Sequence, residues 1–181
     1  MSAGRLIAVV GPSGVGKDSV MAGMVRARPD LHLVRRAITR PAEPGGEDHR
    51  PMAQAEFDRA ARAGAFCLHW SAHGLSYGLP AATLDVLRAG RDCLANLSRS
   101  ALPQAAAVVP ALKVLSITAA PEVLARRLSG RGRESAAQIA DRLAQAGKPL
   151  PPGLDVVEIH NDGPLDAAVA AALRALQPER A

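Results

Sequence analysis

The apolar run LIAVV, residues 6 to 10, leads without a break into GPSGVGKDSV, residues 11 to 20. No other junction constrains the fold as much. Gly11, Gly14 and Gly16 free the backbone from its usual steric limits just where a buried segment ends. A chain that curls there aims successive N–H groups at one point, an anion nest at the N-terminus of the next helix. The loop needs a strand before it and a helix after it, and the flanking residues read as both. Gly11, Pro12, Ser13, Gly14, Val15, Gly16, Lys17, Asp18 and Ser19 are therefore the expected phosphate loop, with Lys17 placed to bridge the terminal phosphates of ATP. The plainer alternative is a glycine-rich turn between a strand and a helix.

Asp18 stands where loops of this build carry Ser or Thr, whose hydroxyl holds magnesium. At a helix start its charge gains roughly 0.3–1 kcal/mol. Unscreened and about 5 Å from a phosphate charge, it costs roughly 3 kcal/mol at an effective dielectric near 20. Repulsion wins unless a cation lies between them, and magnesium accepts carboxylate oxygens readily. Asp18 is the expected magnesium ligand, with Ser19 as its rival; the alternative is a simple helix cap.

Downstream, strand and helix patterns alternate. Strands are expected at 5–10, 31–38, 92–98, 111–118 and 155–161, and short strands about a turn at Gly74 within 65–78. Helices are expected at 18–28, 52–64, 80–90, 121–130 and 164–176. The stretch 39–51, dense in Pro, Gly and charge, reads as a loop, and 131–147 as an arginine-bearing loop that turns helical. Alternation of this kind implies an α/β P-loop NTPase three-layer sandwich with a mostly parallel central sheet. One domain is expected over 1–181, with the phosphate loop at 11–19, a substrate-binding insert at about 36–80 and an arginine-bearing lid at about 129–142.

No apolar stretch approaches the roughly 18–20 residues that span a bilayer. The N-terminus lacks a small-residue cleavage site, so a cytoplasmic protein is expected, with no membrane partner. Cys67 and Cys93 sit in apolar runs and read as buried thiols, without a metal site or disulfide framework. The net charge of +5 favours an anionic partner. A nucleic-acid surface would want aromatic platforms, yet Phe57, Phe66, Trp70 and Tyr77 are the only aromatic residues, so no nucleic acid is expected. Lysine occurs only at 17, 113 and 148, and the arginine skew beside abundant alanine marks part of the surplus charge as solvated surface.

Arg127, Arg131, Arg133 and Arg142 surround a glycine-containing turn. Phosphoryl transfer needs positive charge on the moving group more than covalent chemistry, and one delivered arginine is worth roughly 10³–10⁵ in rate. The plainer reading is a basic helix edge, with Glu134 and Asp141 in surface pairs.

GPSGVGK, ITR, GGE, EF, GLSYG, RLSGRGRE…DRL and HND follow the order and approximate spacing of the guanylate kinases, which the chain resembles over nearly its whole length. The resemblance implies that Lys17 and the loop bind ATP, and that Arg131 and Arg142 bind the transferring phosphoryl. It implies that Arg127, Asn161 and Asp162 lie at the nucleotide, the last two near the adenine. Arg40, Tyr77 and Glu47 would hold the acceptor. Departures are informative. Leu68 stands where those kinases carry a guanine-reading glutamate, Asn96 and Ser98 replace an acidic strand end, and Glu43 replaces a second phosphate-binding arginine. Each lost polar partner costs roughly 1–3 kcal/mol, enough to ruin guanine discrimination.

These departures, with GPSG-x-GKDS, N-x-SR, LPQA and RGRE, are similar to one branch of that superfamily. Its members phosphorylate the sugar bisphosphate ribose 1,5-bisphosphate on its 1-phosphate, giving 5-phosphoribosyl 1-diphosphate and ADP in phosphonate breakdown. There an aspartate after the loop lysine is usual. The 1-phosphate, with a second pKa of roughly 6, is a nucleophile already ionised at neutral pH, so no general base is needed. His69 and His73 then read as packing or hydrogen-bonding residues. Ser98 and Arg99 are expected to join Arg40 and Tyr77 at the sugar bisphosphate; for Arg99 a solvated helix start is the even alternative. The rival readings are a nucleoside monophosphate kinase and a non-catalytic binding module.

Overall fold

The computed structural model describes residues 2–132 and 134–177. Arg133, one of the four arginines named above around the glycine-containing turn, lies outside the described residues.

Five strands, all parallel, form the central sheet in the order β2 (His32–Leu33), β7 (Cys93–Asn96), β1 (Leu6–Val10), β8 (Leu112–Thr118) and β9 (Val156–His160). The middle strand β1 is wholly buried. Its side chains alternate between two cores. Leu6, Ala8 and Val10 face one with Ala95, Leu102 and Val114, and Ile7 and Val9 face the other with Leu94, Leu115 and Ile117. Both faces are covered, which is why LIAVV reads as an unbroken apolar run rather than an alternating one.

Helices α1 (Lys17–Ala27), α5 (Pro121–Gly130) and α7 (Leu165–Ala175) supply Met24, Leu124 and Val169 to the second core. Helices α3 (Ala82–Arg88) and α4 (Leu102–Val108) close the first core through Leu87 and Leu102. Between α5 and β9 runs α6 (Ala136–Ala146), started by a capping box in which Ser135 accepts from the Gln138 N–H and the Gln138 side chain accepts from the Ser135 N–H.

A second sheet, ordered β4 (Arg50–Pro51), β3 (Ala37–Ile38), β6 (Leu75–Pro80) and β5 (Phe66–Ala72), leans on the same core through Leu68, Trp70, Tyr77 and Leu79. Its hairpin turns on His73 and Gly74, with φ of 53° and 73°, the two positive values that a two-residue turn between twisted strands requires. Helix α2 (Gln54–Arg62) packs Phe57 onto Phe66 of this sheet, ring centroids 4.7 Å apart.

The fold is the expected α/β sandwich, with three local differences. The single strand expected over 31–38 is two short ones, because the chain leaves the central sheet after Leu33 and enters the second at Ala37. The expected loop 39–51 ends in β4, which pairs with β3 in parallel. Helix α4 was not anticipated; proline in its first turn and the run Ala105–Ala107 were the available signals. Cys67 is only half-buried, its thiol directed at the Leu79 and Pro80 carbonyls, whereas Cys93 is fully buried. Among the described residues no helix is long and apolar enough to cross a membrane.

Helix α1 crosses α7 closely because residue 23 is glycine: a Cβ there would lie 2.6 Å from Val169 Cγ2. Gly23→Ala should destabilise the protein despite a helix-propensity gain of up to about 1 kcal/mol. Its cost, read by urea denaturation, should fall by about 1 kcal/mol in a Val169→Ala background, since the two changes share one contact.

Candidate functional site

The loop between β1 and α1 has the backbone that its glycines allow. Gly14 and Gly16 adopt φ of 81° and 95°, and Gly16 caps the helix that begins at Lys17. Lys17 turns back over the loop and donates from Nζ to the Gly11 and Pro12 carbonyls at 2.9 and 3.2 Å. From below, the Val15 carbonyl accepts from Asn161 Nδ2 at 2.8 Å and from Arg127 Nη1 at 3.2 Å. Arg127 also donates to the Asn161 carbonyl at 2.8 Å. A Cβ on Gly16 would lie 2.8 Å from that Asn161 amide, so glycine is required there by both torsion and space. Burial pulls the Lys17 ammonium down to about 8, against the pull of Asp18, which raises it; Arg36, Glu47 and Arg99 also act on it.

Those four charges come from both sides of the cleft. At the end of β7, Asn96 Nδ2 points at Asp18 Oδ1, 3.5 Å away. Ser98 Oγ accepts from Trp70 Nε1 at 2.9 Å, and the Trp70 ring stacks on Tyr77 with centroids 5.4 Å apart. Arg36 lies against this pair, its guanidinium carbon 4.9 Å from the Tyr77 centroid. Only 5% exposed, Arg36 forms a two-pronged pair with Glu47, Nε to Oε1 at 2.8 Å and Nη2 to Oε2 at 2.5 Å. His49, 2% exposed, staples the loop that carries Glu47: one ring nitrogen faces the Glu47 carbonyl and the other the Arg40 carbonyl.

From α6, Arg142 reaches Ser13 Oγ in the loop before α1 and pairs with Glu134 Oε1 at 2.8 Å. Arg99, in a single 3₁₀ turn after β7, donates to three main-chain carbonyls at the far end of the same helix: Gln145 at 3.0 Å, Ala146 at 3.0 Å and Lys148 at 2.8 Å. Desolvation lowers the Arg99 guanidinium below the usual arginine value.

Several expected residues are thus linked: Arg142 reaches the loop that carries Lys17 and Asp18, Ser98 and Tyr77 are joined through Trp70, and Glu47 with its partner Arg36 lies close enough to act on Lys17. Others are placed differently. Asn161 is buried beneath the loop with its amide committed to Val15, so it braces the loop rather than facing an adenine. Arg127 spends both Nη groups on main-chain carbonyls in the same brace. The Asp162 carboxylate caps α5 by accepting the Ala120 N–H at 2.5 Å. Arg99 holds the lid helix instead of standing open. Arg40 lines a shallow cleft with Thr39, Met52 and Gln54, its Nε buried without a hydrogen-bond partner. Arg131, just past α5, is exposed. Leu68, 2% exposed, belongs to the core, so no polar group reads a base from that position. Arg36 was missed. The signal was a pair of arginines inside an apolar strand pattern, which must project to opposite sides: Arg35 meets exposed Asp48, and Arg36 turns inward.

Asp18 and Ser19 are exposed at the helix start, beside the Asn96 amide. Among the described residues no group of three or more His, Cys, Asp or Glu could hold a metal by itself. The donor set fits magnesium, which takes one or two protein oxygens and fills its shell with phosphate and water.

The guanylate kinase family model matches residues 3–177. The ribose 1,5-bisphosphate phosphokinase PhnN of Ruegeria sp. (strain TM1040) is 53% identical, over 98% of this chain and 94% of its own length. The protein of that name from Agrobacterium fabrum is 44% identical, over 95% and 96%. A bifunctional ribose 1,5-bisphosphokinase-thymidine phosphorylase of Cupriavidus necator is 43% identical over 96% of this chain, which matches 29% of that longer protein. Among solved structures, guanylate kinase from Anaplasma phagocytophilum superposes with a TM-score of 0.68 at 20% identity, covering 98% of this chain and 87% of that one. A gluconokinase from Sinorhizobium meliloti reaches 0.58 at 18%, covering 97% and 93%. At these identities the solved structures speak for the fold alone.

Asn161→Ala should remove one of the two donors to Val15 and leave the loop under-braced. The expected result is a loss of about 1–2 kcal/mol in urea denaturation, together with roughly tenfold weaker binding of a fluorescent ATP analogue.

Proposed function

The chain belongs to the guanylate kinase family, and we propose that within it the chain transfers the γ-phosphoryl group of ATP to the 1-phosphate of ribose 1,5-bisphosphate, giving 5-phosphoribosyl 1-diphosphate and ADP. One observation carries the reading: relatives that bear this activity in their names share 53% and 44% identity over 98% and 95% of the chain. The acceptor side is consistent with it. Where a guanine reader would need a carboxylate there is core Leu68, and Ser98 is engaged by Trp70.

The residues divide the work as follows. The Gly11–Gly16 backbone and Lys17 hold the β- and γ-phosphates, and Arg142 places its guanidinium beside Ser13, where the γ-phosphoryl lies. Arg131 is the second lid arginine, for the same equatorial oxygens. Asp18, with Ser19, would hold magnesium, which would supply charge neutralisation for the phosphates. Arg36 with Glu47, Tyr77 and Arg40 holds the acceptor. A 1-phosphate oxygen forms the new bond to the γ-phosphorus as the bond to the ADP oxygen breaks. The nucleophile is already ionised, so no side chain takes a proton, and the rate comes from positioning and charge. The setting is the cytoplasm, and the partners are these small molecules, with neither nucleic acid nor membrane.

The direct test is product formation with magnesium-ATP and either ribose 1,5-bisphosphate or GMP. 5-Phosphoribosyl 1-diphosphate from the sugar, without ADP release on GMP, is the expected outcome. Turnover of GMP with no turnover of the sugar would reverse the reading in favour of a nucleotide kinase.

The lysine sets a second expectation. Lys17 works charged, and in the free protein burial brings it to about 8. The plot of kcat/KM for ATP should therefore fall above about pH 8, tenfold per pH unit, while kcat at saturating ATP holds to higher pH because bound phosphates favour the ammonium. Lys17→Arg should remove that alkaline limb. The sign for stability is the reverse of an ion pair's: the unfolded lysine binds its proton up to about 10.5, so the ligand-free fold gains stability as pH rises from about 8 towards that value.

A further inference from the structure

Arg99 gathers three main-chain carbonyls in a contact that the reaction above does not use. Its guanidinium takes the carbonyls of Gln145, Ala146 and Lys148, in and just past the last turn of α6. A helix leaves its last four carbonyls without intrahelical partners and carries a partial negative charge at that end. A planar, forked cation is the side chain best fitted to gather several of them at once. Helix α6 packs Leu143 and Ala146 against the second core, and two polar ties fix it further: Arg99 at its C-terminus, and Arg142, one turn earlier, on Ser13 of the loop before α1. Arg99 also follows directly on Ser98, which accepts from Trp70, and Trp70 stacks on Tyr77. The tie to the lid therefore starts at the floor of the acceptor side.

We propose that Arg99 is a positioning residue for phosphoryl transfer: it latches α6 to the end of β7, so that Arg142 is delivered to the phosphate loop at a height set by the acceptor side. It acts through Arg142 and touches neither substrate. The proposal rests on the phosphotransferase reading for its kinetic consequence but not for its structural one. A displacement of about 1 Å at a catalytic group costs about 10²-fold in rate, so loss of the latch lowers kcat by about 10- to 100-fold. Both KM values stay within about threefold, because neither binding surface is altered. An Arg99 that gripped the sugar bisphosphate itself would do the opposite and raise the acceptor KM.

The test uses the full chain as Arg99→Gln, Arg99→Lys, Arg142→Gln and Arg99→Gln/Arg142→Gln. Kinetics are run with magnesium-ATP and ribose 1,5-bisphosphate, and amide hydrogen exchange is followed over residues 136–147 in the ligand-free protein. Arg99→Gln is expected to speed exchange at the C-terminal end of α6 at least tenfold while leaving β1 and β8 protected, which shows that the fold survives. Arg99→Lys, able to reach one carbonyl but not fork across three, should fall between wild type and Arg99→Gln in both kcat and exchange. In the Arg142→Gln background, Arg99→Gln should cost less than about threefold in kcat, since the group it positions is already gone. Full multiplicative loss in the double variant, a raised acceptor KM at unchanged kcat, or unchanged exchange over α6 would each overturn the latch. If the wild-type protein fails to phosphorylate the sugar bisphosphate but exchange over α6 still rises in Arg99→Gln, the substrate reading falls and the latch stands.

Discussion

The carbonyl of Val15 accepts two donors at once, and the working side of the protein hangs on that grip. Asn161 comes from the end of β9 and Arg127 from α5, so two distant segments meet under one peptide of the phosphate loop. A loop of small residues with three glycines is entropically costly to order. The brace from beneath engages a carbonyl of the loop and none of its N–H groups. The same brace requires Gly16, whose missing Cβ makes room for the Asn161 amide. Lys17 then closes the loop over Gly11 and Pro12. Burial makes that ammonium a costly charge although two carbonyls hold it, which its lowered pKa expresses.

Across the cleft the charges are arranged differently. Arg36 and Glu47 are buried and paired, so they offset each other while fixing the geometry around Tyr77 and Trp70. Such a pair contributes little net stability, because desolvation consumes most of the Coulomb gain. Its value is in position. The wall is polar and pre-formed, and Leu68 of β5 belongs to the core. The lid connects the two sides, with Arg142 on the loop and Arg99 on the helix end.

Much of the fold was legible in order along the chain. The phosphate loop, the parallel strands and most helices follow from apolar periodicity, glycine placement and proline at helix starts, all of which are local. The elements that were misread depend on non-local pairing. β2 and β3 looked like one strand because nothing in LHLVRRAI says that the chain changes sheets at its middle. β4 is two residues long and exists only because β3 offers it hydrogen bonds. At the site, types and spacing single out Lys17, Asp18, Arg142 and Tyr77 as candidates. They cannot show which way a side chain faces: Asn161, Arg127 and Arg99, expected at ligands, donate to carbonyls of the chain itself, and Arg36, paired with Glu47, carries no local signal that it rather than Arg35 is the buried one.

What the sequence determined by itself is the class of chemistry: an anion nest with a lysine, an acid beside it and arginines further on can serve little but phosphate, because those residue types have that one common partner. What only tertiary structure decided is the division of labour among the polar residues. An arginine has five donors and no preference of its own between a phosphate and a carbonyl. Which it meets depends on the backbone groups that other elements leave unsatisfied within its reach, and those are set when β9, α5 and the end of α6 come to rest beside the loop and β7.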